Sequence, residues 1–209
     1  MKAPGGEMKL YITNTSPFAR LARIVVLEKG LSSRVEVVTA RTREANSPYY
    51  AINPSGRVPY LVLDDGSGME DSSLIAAYLD ALDGAPRLQA PSSVDRWAYG
   101  RLEARARSFT DGVSVWVREM RRPTDERSPT ILKHEVARAD RIAATWNEDV
   151  AHPIMQGPLT MAHLLLFVGL DFATDSQMVD LETRHPGLRE FAERLRKVPS
   201  IAATHPSST

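Results

Sequence analysis

Three short stretches carry the residue types that can do chemistry. Thr15-Ser16-Pro17-Phe18 sets a hydroxyl directly before a proline, the pattern of a helix N-cap followed by proline at the first helical position. Such a cap is stable with no ligand, and that is its plainest meaning. The same geometry presents unpaired N–H groups and partial positive charge, so a hydroxyl placed there can share in stabilising an anion. Val58-Pro59 opens an apolar run; X-Pro bonds are cis in only about 5% of cases, so alone this pair marks an edge or an ordinary trans junction. Glu70-Asp71-Ser72-Ser73 reads first as the cap of a following helix. Its second use would set Asp71 against an ammonium group, and the Ser72 hydroxyl with the helix amides against a carboxylate.

The rest of the composition narrows the chemistry. The chain of 209 residues contains no cysteine, so it has no disulfide, thiolate metal site or nucleophilic thiol of its own. Any sulfur chemistry must use a substrate's sulfur. The five histidines, His134, His152, His163, His185 and His205, include no pair four residues apart, the spacing that sets two imidazoles on one helix face around a metal; no metal is expected. None of them stands in a recognisable hydrolase motif with Ser16, as a nucleophilic serine would require. With 26 basic and 26 acidic side chains the formal net charge is zero, which argues against a nucleic-acid binder that must displace counterions from phosphates. The most apolar stretch, Leu164 to Leu170, falls far short of the ~20 residues that span a bilayer, and Met1 to Glu7 lacks the apolar run of a secretory signal. No membrane partner is expected, and the cytoplasm is the expected location.

The elements that must position these residues follow from periodicity. Lys9 to Thr13 reads as a strand. Phe18, Leu21, Ala22, Ile24, Val25 and Leu27 recur at helical spacing and end at Lys29-Gly30, a cation and a glycine in C-terminal positions. Val35 to Val38 reads as a second strand, parallel to the first through a right-handed crossover. After the turn Asn53-Pro54-Ser55-Gly56 comes the strand Val58 to Leu63, then a hairpin loop at Asp64 to Gly68 and an antiparallel fourth strand. Asp71-Ser72-Ser73 opens a helix with Leu74, Ile75, Tyr78, Leu79 and Leu82 on its apolar face. Gly84 to Ser93 is the best linker in the chain. Beyond it the pattern is helical: Val94–Arg122, Ser128–Val150, Thr160–Phe172 and Pro186–Val198. The expected domains are therefore 1–83, a linker at 84–93, and 94–209.

Taken in order, Ser16-Pro17-Phe18-Ala19-Arg20, Glu28-Lys29-Gly30, Asn53-Pro54-Ser55-Gly56-Arg57-Val58-Pro59, Asp71-Ser72-Ser73-Leu74-Ile75-Ala76-Ala77-Tyr78-Leu79 and Leu159-Thr160-Met161-Ala162 resemble the glutathione transferase superfamily, in particular its bacterial serine-type members. The resemblance covers nearly all of the chain from Met8 onward. It implies an α/β thioredoxin-like N-terminal domain (βαβ then ββα) and an all-α C-terminal helical domain. Glutathione would be bound by the first as co-substrate, with an electrophile lodged between the two. It implies that Ser16 contacts the glutathione sulfur, with Thr15 as the alternative, and that Phe18 also binds glutathione. Val58, before an expected cis-Pro59, would pair its backbone with the cysteinyl portion. Asp71 and Ser72 would hold the γ-glutamyl end, and Arg57, where many relatives have lysine, would contact the glycyl carboxylate. The electrophile pocket would draw on Phe18 and on the helix carrying Trp116, Arg118, Glu119 and Arg122. A two-fold homodimer is also implied, with the helix Val94–Arg122 facing the partner's first domain.

One position departs from the family pattern. His163 stands where relatives place aspartate in a Thr-x-x-Asp capping box. A histidine accepts the N-cap bond only when neutral, and when protonated it puts positive charge at the unfavourable end of the helix dipole. The expectation is a weakened cap and a gain of ~0.5–1 kcal/mol on replacing His163 by aspartate. Function also keeps an alternative: the fold serves ligand carriage and protein interaction without turnover, and glutathione-dependent peroxide reduction or halide removal as well as conjugation.

Overall fold

The computed structural model describes residues 8–90, 96–176 and 181–206. Their contacts group into two compact units, residues 8–86 with 199–206 and residues 87–198.

In the first unit, β1 (Met8–Ile12) alternates buried and more exposed side chains, with Met8, Leu10 and Ile12 fully inside. Period-two burial of this kind puts one face of the sheet on the core. α1 (Pro17–Glu28) leads to β2 (Val35–Thr39), and a single 3-10 turn at Pro48–Ala51 precedes β3 (Tyr60–Val62) and β4 (Gly68–Glu70). The sheet order is β2-β1-β3-β4. β1 is parallel to β2 and antiparallel to β3, and β4 is antiparallel to β3. Leu10 is opposite both Val37 and Leu61.

α1 ends where Gly30, at φ 63°, takes the left-handed conformation that a C′ glycine allows at no steric cost. Its amide bonds Leu27 O at 3.0 Å, and Leu31 N–H returns to Val26 O at 2.8 Å. Lys29 does more than complement the helix dipole: its buried Nζ donates to Asp83 Oδ1 and Ala85 O, each at 2.8 Å, and lies 3.6 Å from the buried Asp80 carboxylate. The ends of α1 and α2 (Ser72–Ala81) are thus tied by one cation. The buried stripe of α2 is Ser72, Ile75, Ala76, Leu79 and Asp80. Leu74, expected on that face, is 55% exposed, because it lies one residue, about 100° of helix rotation, away from Ile75.

The C-terminal residues 199–206, expected with the helical domain, pack on the first unit. Ser200 Oγ donates to Glu28 at 2.6 Å, and the buried Arg20 donates to Ile201 O at 3.2 Å. Residues 87–90 of the expected linker group with the second unit, where Leu88 is buried and its carbonyl accepts from Met161 N–H at 2.8 Å. The rest of that linker, with Val94 of the following helix, lies outside the described residues.

The second unit is helical among its described residues: α3 (Arg96–Met120), α4 (Pro129–Asp149), α5 (Pro153–Gln156), α6 (Met161–Asp175), α7 (Leu181–Arg184) and α8 (Pro186–Arg196), after which α9 (Pro199–Ala202) belongs to the first unit. Leu164 to Leu170 is the middle of α6, buried on every side. Close approach of α6 to α3 depends on Gly169, where a Cβ would lie 2.5 Å from Thr110 Oγ1. Thr110 in turn donates to Leu165 O at 2.8 Å, satisfying its hydroxyl inside the core. Arg196 joins α8 to Asp171 and Glu182 at 3.1 and 2.6 Å. No helix of the described residues is long and apolar enough to cross a membrane.

His163 overturns the expectation of a weak cap. The Thr160 N–H, which can only donate, meets His163 Nδ1 at 3.2 Å, so Nδ1 is the unprotonated nitrogen. Nε2 therefore carries the proton and donates to the Met155 carbonyl at 3.0 Å. The ring is 1% exposed and stacks on Phe191 at 6.1 Å. Burial is the main cause that lowers its pKa to about 4, and Arg194 adds to it. A neutral imidazole thus closes the capping box and fastens α5 to α6.

Candidate functional site

The strand register decides whether the three chemical motifs meet. β1 ends at Ile12, and the chain reaches Ser16 four residues later at the N-cap of α1. Tyr11 is opposite Tyr60, and Tyr60 is opposite Glu70. β3 begins on that rung, so Val58 and Pro59 enter at the same end of the sheet at which β1 stops. β4 finishes on it, so Asp71 leaves there. Ser16, Val58-Pro59 and Asp71-Ser72 therefore share one end of the sheet.

Each is held by local chemistry. Ser16 has extended backbone, and its Oγ accepts from Ala19 N–H at 3.2 Å. That bond uses a lone pair and leaves the hydroxyl proton for another acceptor. Pro17 is buried and Phe18 half-buried, whereas Thr15 is exposed. The Val58–Pro59 bond is cis. Pro59 is buried and Val58 half-buried, ahead of the ladder that starts at Tyr60.

Asp71 caps α2 with one oxygen, Oδ1, which accepts from Ser73 N–H at 3.0 Å and Leu74 N–H at 3.1 Å. Those two amides are consequently committed, which leaves the Ser72 hydroxyl and N–H as the groups of that turn to weigh for a carboxylate. Asp71 stands at φ 77°, a region that costs a non-glycine residue about 1–3 kcal/mol and persists only where its surroundings impose it.

Arg57 has an exposed side chain and a fully anchored backbone. Its N–H donates to Ser55 Oγ at 3.2 Å, and its carbonyl accepts from Tyr49 Oη at 2.5 Å and Asn53 Nδ2 at 3.0 Å. Ser55 Oγ donates to Glu70 at 2.7 Å, tying this turn to β4. Burial raises the Tyr49 pKa, keeping the phenol protonated. Tyr49 lies outside the sequence motifs, and although Ser55 and Glu70 lie within them, the bond that joins these two spans fifteen residues and has no local signal.

The four residues of the expected electrophile pocket lie in the second unit. Trp116 is 3% exposed and belongs to its core. Arg118 Nε donates to Ser114 O at 3.0 Å, Glu119 accepts from Ser128 N–H at 2.6 Å, and Arg122 bonds the Glu126 backbone at 3.0 Å. Three of the four thus serve α3 and its turn into α4.

A parallel β-α-β followed by an antiparallel β-β-α, with a cis-proline entering the third strand, defines a thioredoxin-like domain, here accompanied by a helical unit. The profile of the glutathione S-transferase N-terminal domain matches residues 10–87. The chain is 30% identical over 82 residues, 86% of that protein and 39% of this one, to a probable glutathione transferase of Aplysia californica. It is 32% identical over 134 residues to the uncharacterized GST-like protein YibF of Escherichia coli K12; the match covers 64% of this chain and just under two thirds of YibF, 65%. A glutathione S-transferase of Methylobacillus flagellatus, crystallised with glutathione bound, superposes with a TM-score of 0.85 at 27% identity, over 96% of this chain and 100% of that one. The chain belongs to the glutathione S-transferase superfamily.

Proposed function

We propose that the protein is a serine-type glutathione transferase in which Ser16 stabilises the glutathione thiolate for attack on a small, largely apolar electrophile. The observation that carries this reading is the Tyr11–Tyr60–Glu70 rung, which gathers a donor hydroxyl, a cis-proline junction and a carboxylate at one end of the sheet. The glutathione held by the Methylobacillus protein supports it.

A thiol of pKa ~8.5 is only about 3% ionised at pH 7, so useful activation lowers that pKa by roughly two units, or ~2.7 kcal/mol. A hydrogen bond to a charged acceptor contributes ~1.5–3 kcal/mol and a helix N-terminus ~0.3–2 kcal/mol. Ser16 at the head of α1 offers both. It keeps its own proton and forms no covalent bond: the thiolate sulfur bonds the electrophilic carbon, and the leaving group departs with the electron pair. In this reading Asp71 and Ser72 take the γ-glutamyl end, Val58 pairs with the cysteinyl main chain, Arg57 meets the glycyl carboxylate, and Phe18 also contacts glutathione. The protein works in a reducing cytoplasm, as a homodimer that covers the 72%-exposed Trp97 of α3.

Glutathione-agarose should retain the protein, and an activated aryl halide should then be conjugated at a rate above the uncatalysed one. Retention without turnover on aryl halides, peroxides or haloalkanes would replace the enzyme by a carrier, and no retention would remove glutathione from the account.

A further inference from the structure

The backbone amide before the cis-proline is aimed by a side chain that lies outside every motif. Tyr49 sits in the 3-10 turn Pro48–Ala51, 3% exposed, with its ring 5.5 Å from that of Tyr11. Its hydroxyl donates to the Arg57 carbonyl at 2.5 Å. Asn53 supplies a second donor to the same oxygen at 3.0 Å, and Asn53 Nδ2 lies 3.4 Å from Tyr49 Oη. The Arg57–Val58 amide is planar and trans, so its N–H points opposite to its C=O. A carbonyl pulled inward by Tyr49 and Asn53 must turn the Val58 N–H outward from the loop. The strand ladder begins only at Tyr60, so that amide stands ahead of it, at the end of the sheet shared by Ser16 and Asp71.

We infer that Tyr49 is a positioning residue for glutathione: its hydroxyl fixes the Arg57–Val58 peptide plane and so presents the Val58 amide to the main chain of the tripeptide. The inference rests on the glutathione reading above. An extended peptide that docks on a backbone edge gains its affinity from main-chain hydrogen bonds, and these weaken steeply when donor and acceptor are misaligned. An amide already held in place also spares the ligand the cost of ordering it. Tyr49 touches neither sulfur nor electrophile, so it acts on binding and leaves the chemical step alone.

Tyr49→Phe removes one oxygen and keeps the ring against Tyr11. Calorimetry should show glutathione binding weakened about three- to tenfold, the effect of losing one neutral hydrogen bond. KM for glutathione should rise by the same factor, while kcat at saturating glutathione and the pKa of the bound thiol stay at wild-type values. An unchanged Kd overturns the inference, and so does a lower kcat at unchanged KM, which is what fewer folded molecules produce. If Tyr49→Phe does not fold, Asn53→Asp is measured in the same way, since it withdraws the second donor and keeps the acceptor for Ser55 N–H. Wild-type protein that fails to bind glutathione would sink the transferase reading together with this inference; wild-type binding matched by the variant sinks the inference alone.

Discussion

His163 Nε2 lies 3.0 Å from the Met155 carbonyl oxygen, which also accepts from Arg194 at 2.8 Å. One carbonyl thus joins α5, α6 and α8 through an imidazole that must stay neutral, since its other nitrogen accepts from Thr160 N–H.

Stability should therefore fall with acid in a defined window. The pKa of His163 is lowered from 6.5 to about 4 in the folded protein, so between these values the unfolded chain binds more protons. The contribution is complete above pH 6.5, is lost progressively as pH falls toward 4, and amounts to roughly 3 kcal/mol at the end of the window. Denaturant melts from pH 7.5 to 4.5 should show this decline, and it should be absent from His163→Gln. Equal slopes in the two proteins would assign the acid sensitivity to other groups.

Replacing His163 by aspartate should destabilise the protein, the reverse of what the family's capping box suggests. Aspartate can accept from Thr160 N–H but cannot donate to Met155 O, and it vacates the space of the ring stacked on Phe191. A loss of about 1–3 kcal/mol at pH 8 is expected from the hydrogen bond lost to the Met155 carbonyl, which keeps only Arg194 as donor, and from the cavity. The gap to wild type should narrow on acidification as His163 itself becomes a liability. A variant of equal or greater stability at pH 8 would contradict this account of the cap.

Ser16→Ala should raise the pKa of the bound glutathione thiol by about one unit or more, the worth of a charge-assisted hydrogen bond. Glutathione affinity measured with the thiol protonated should change little, because the proposed reading gives the charged ends of the tripeptide to Asp71, Ser72 and Arg57. Ultraviolet titration of the thiolate measures the shift. The same pKa in both proteins would transfer the role to Thr15 or to the amides at the head of α1.

Asp71→Asn separates capping from charge. Asparagine retains a carbonyl oxygen for Ser73 and Leu74 N–H and tolerates the left-handed backbone at φ 77°, so the melting temperature should hardly move. Glutathione binding should weaken by about 1.5–3 kcal/mol through loss of the charged contact to the ammonium group. Calorimetry reads the second effect and a thermal melt the first. Unchanged affinity would make Asp71 a helix cap and nothing else.

What could be read along the chain is what neighbours in sequence decide. The Ser16-Pro17 cap, the C-terminal Gly30, the hairpin at Asp64 to Gly68 and the β-α-β then β-β-α order all rest on local dihedral preferences and on hydrophobic period, which a linear pattern carries. Family motifs added the cis bond at Pro59, which the residues alone did not separate from a trans junction. Tertiary structure decided the rest, because the deciding partners are distant in sequence. Strand pairing set the Tyr11–Tyr60–Glu70 rung and thereby the meeting of three motifs. Burial turned Lys29 from a dipole partner into the hub of two carboxylates. The sequence marked position 163 as a departure from a capping box. Only the Met155 carbonyl opposite Nε2, and the exclusion of water from around it, made a neutral histidine the better cap.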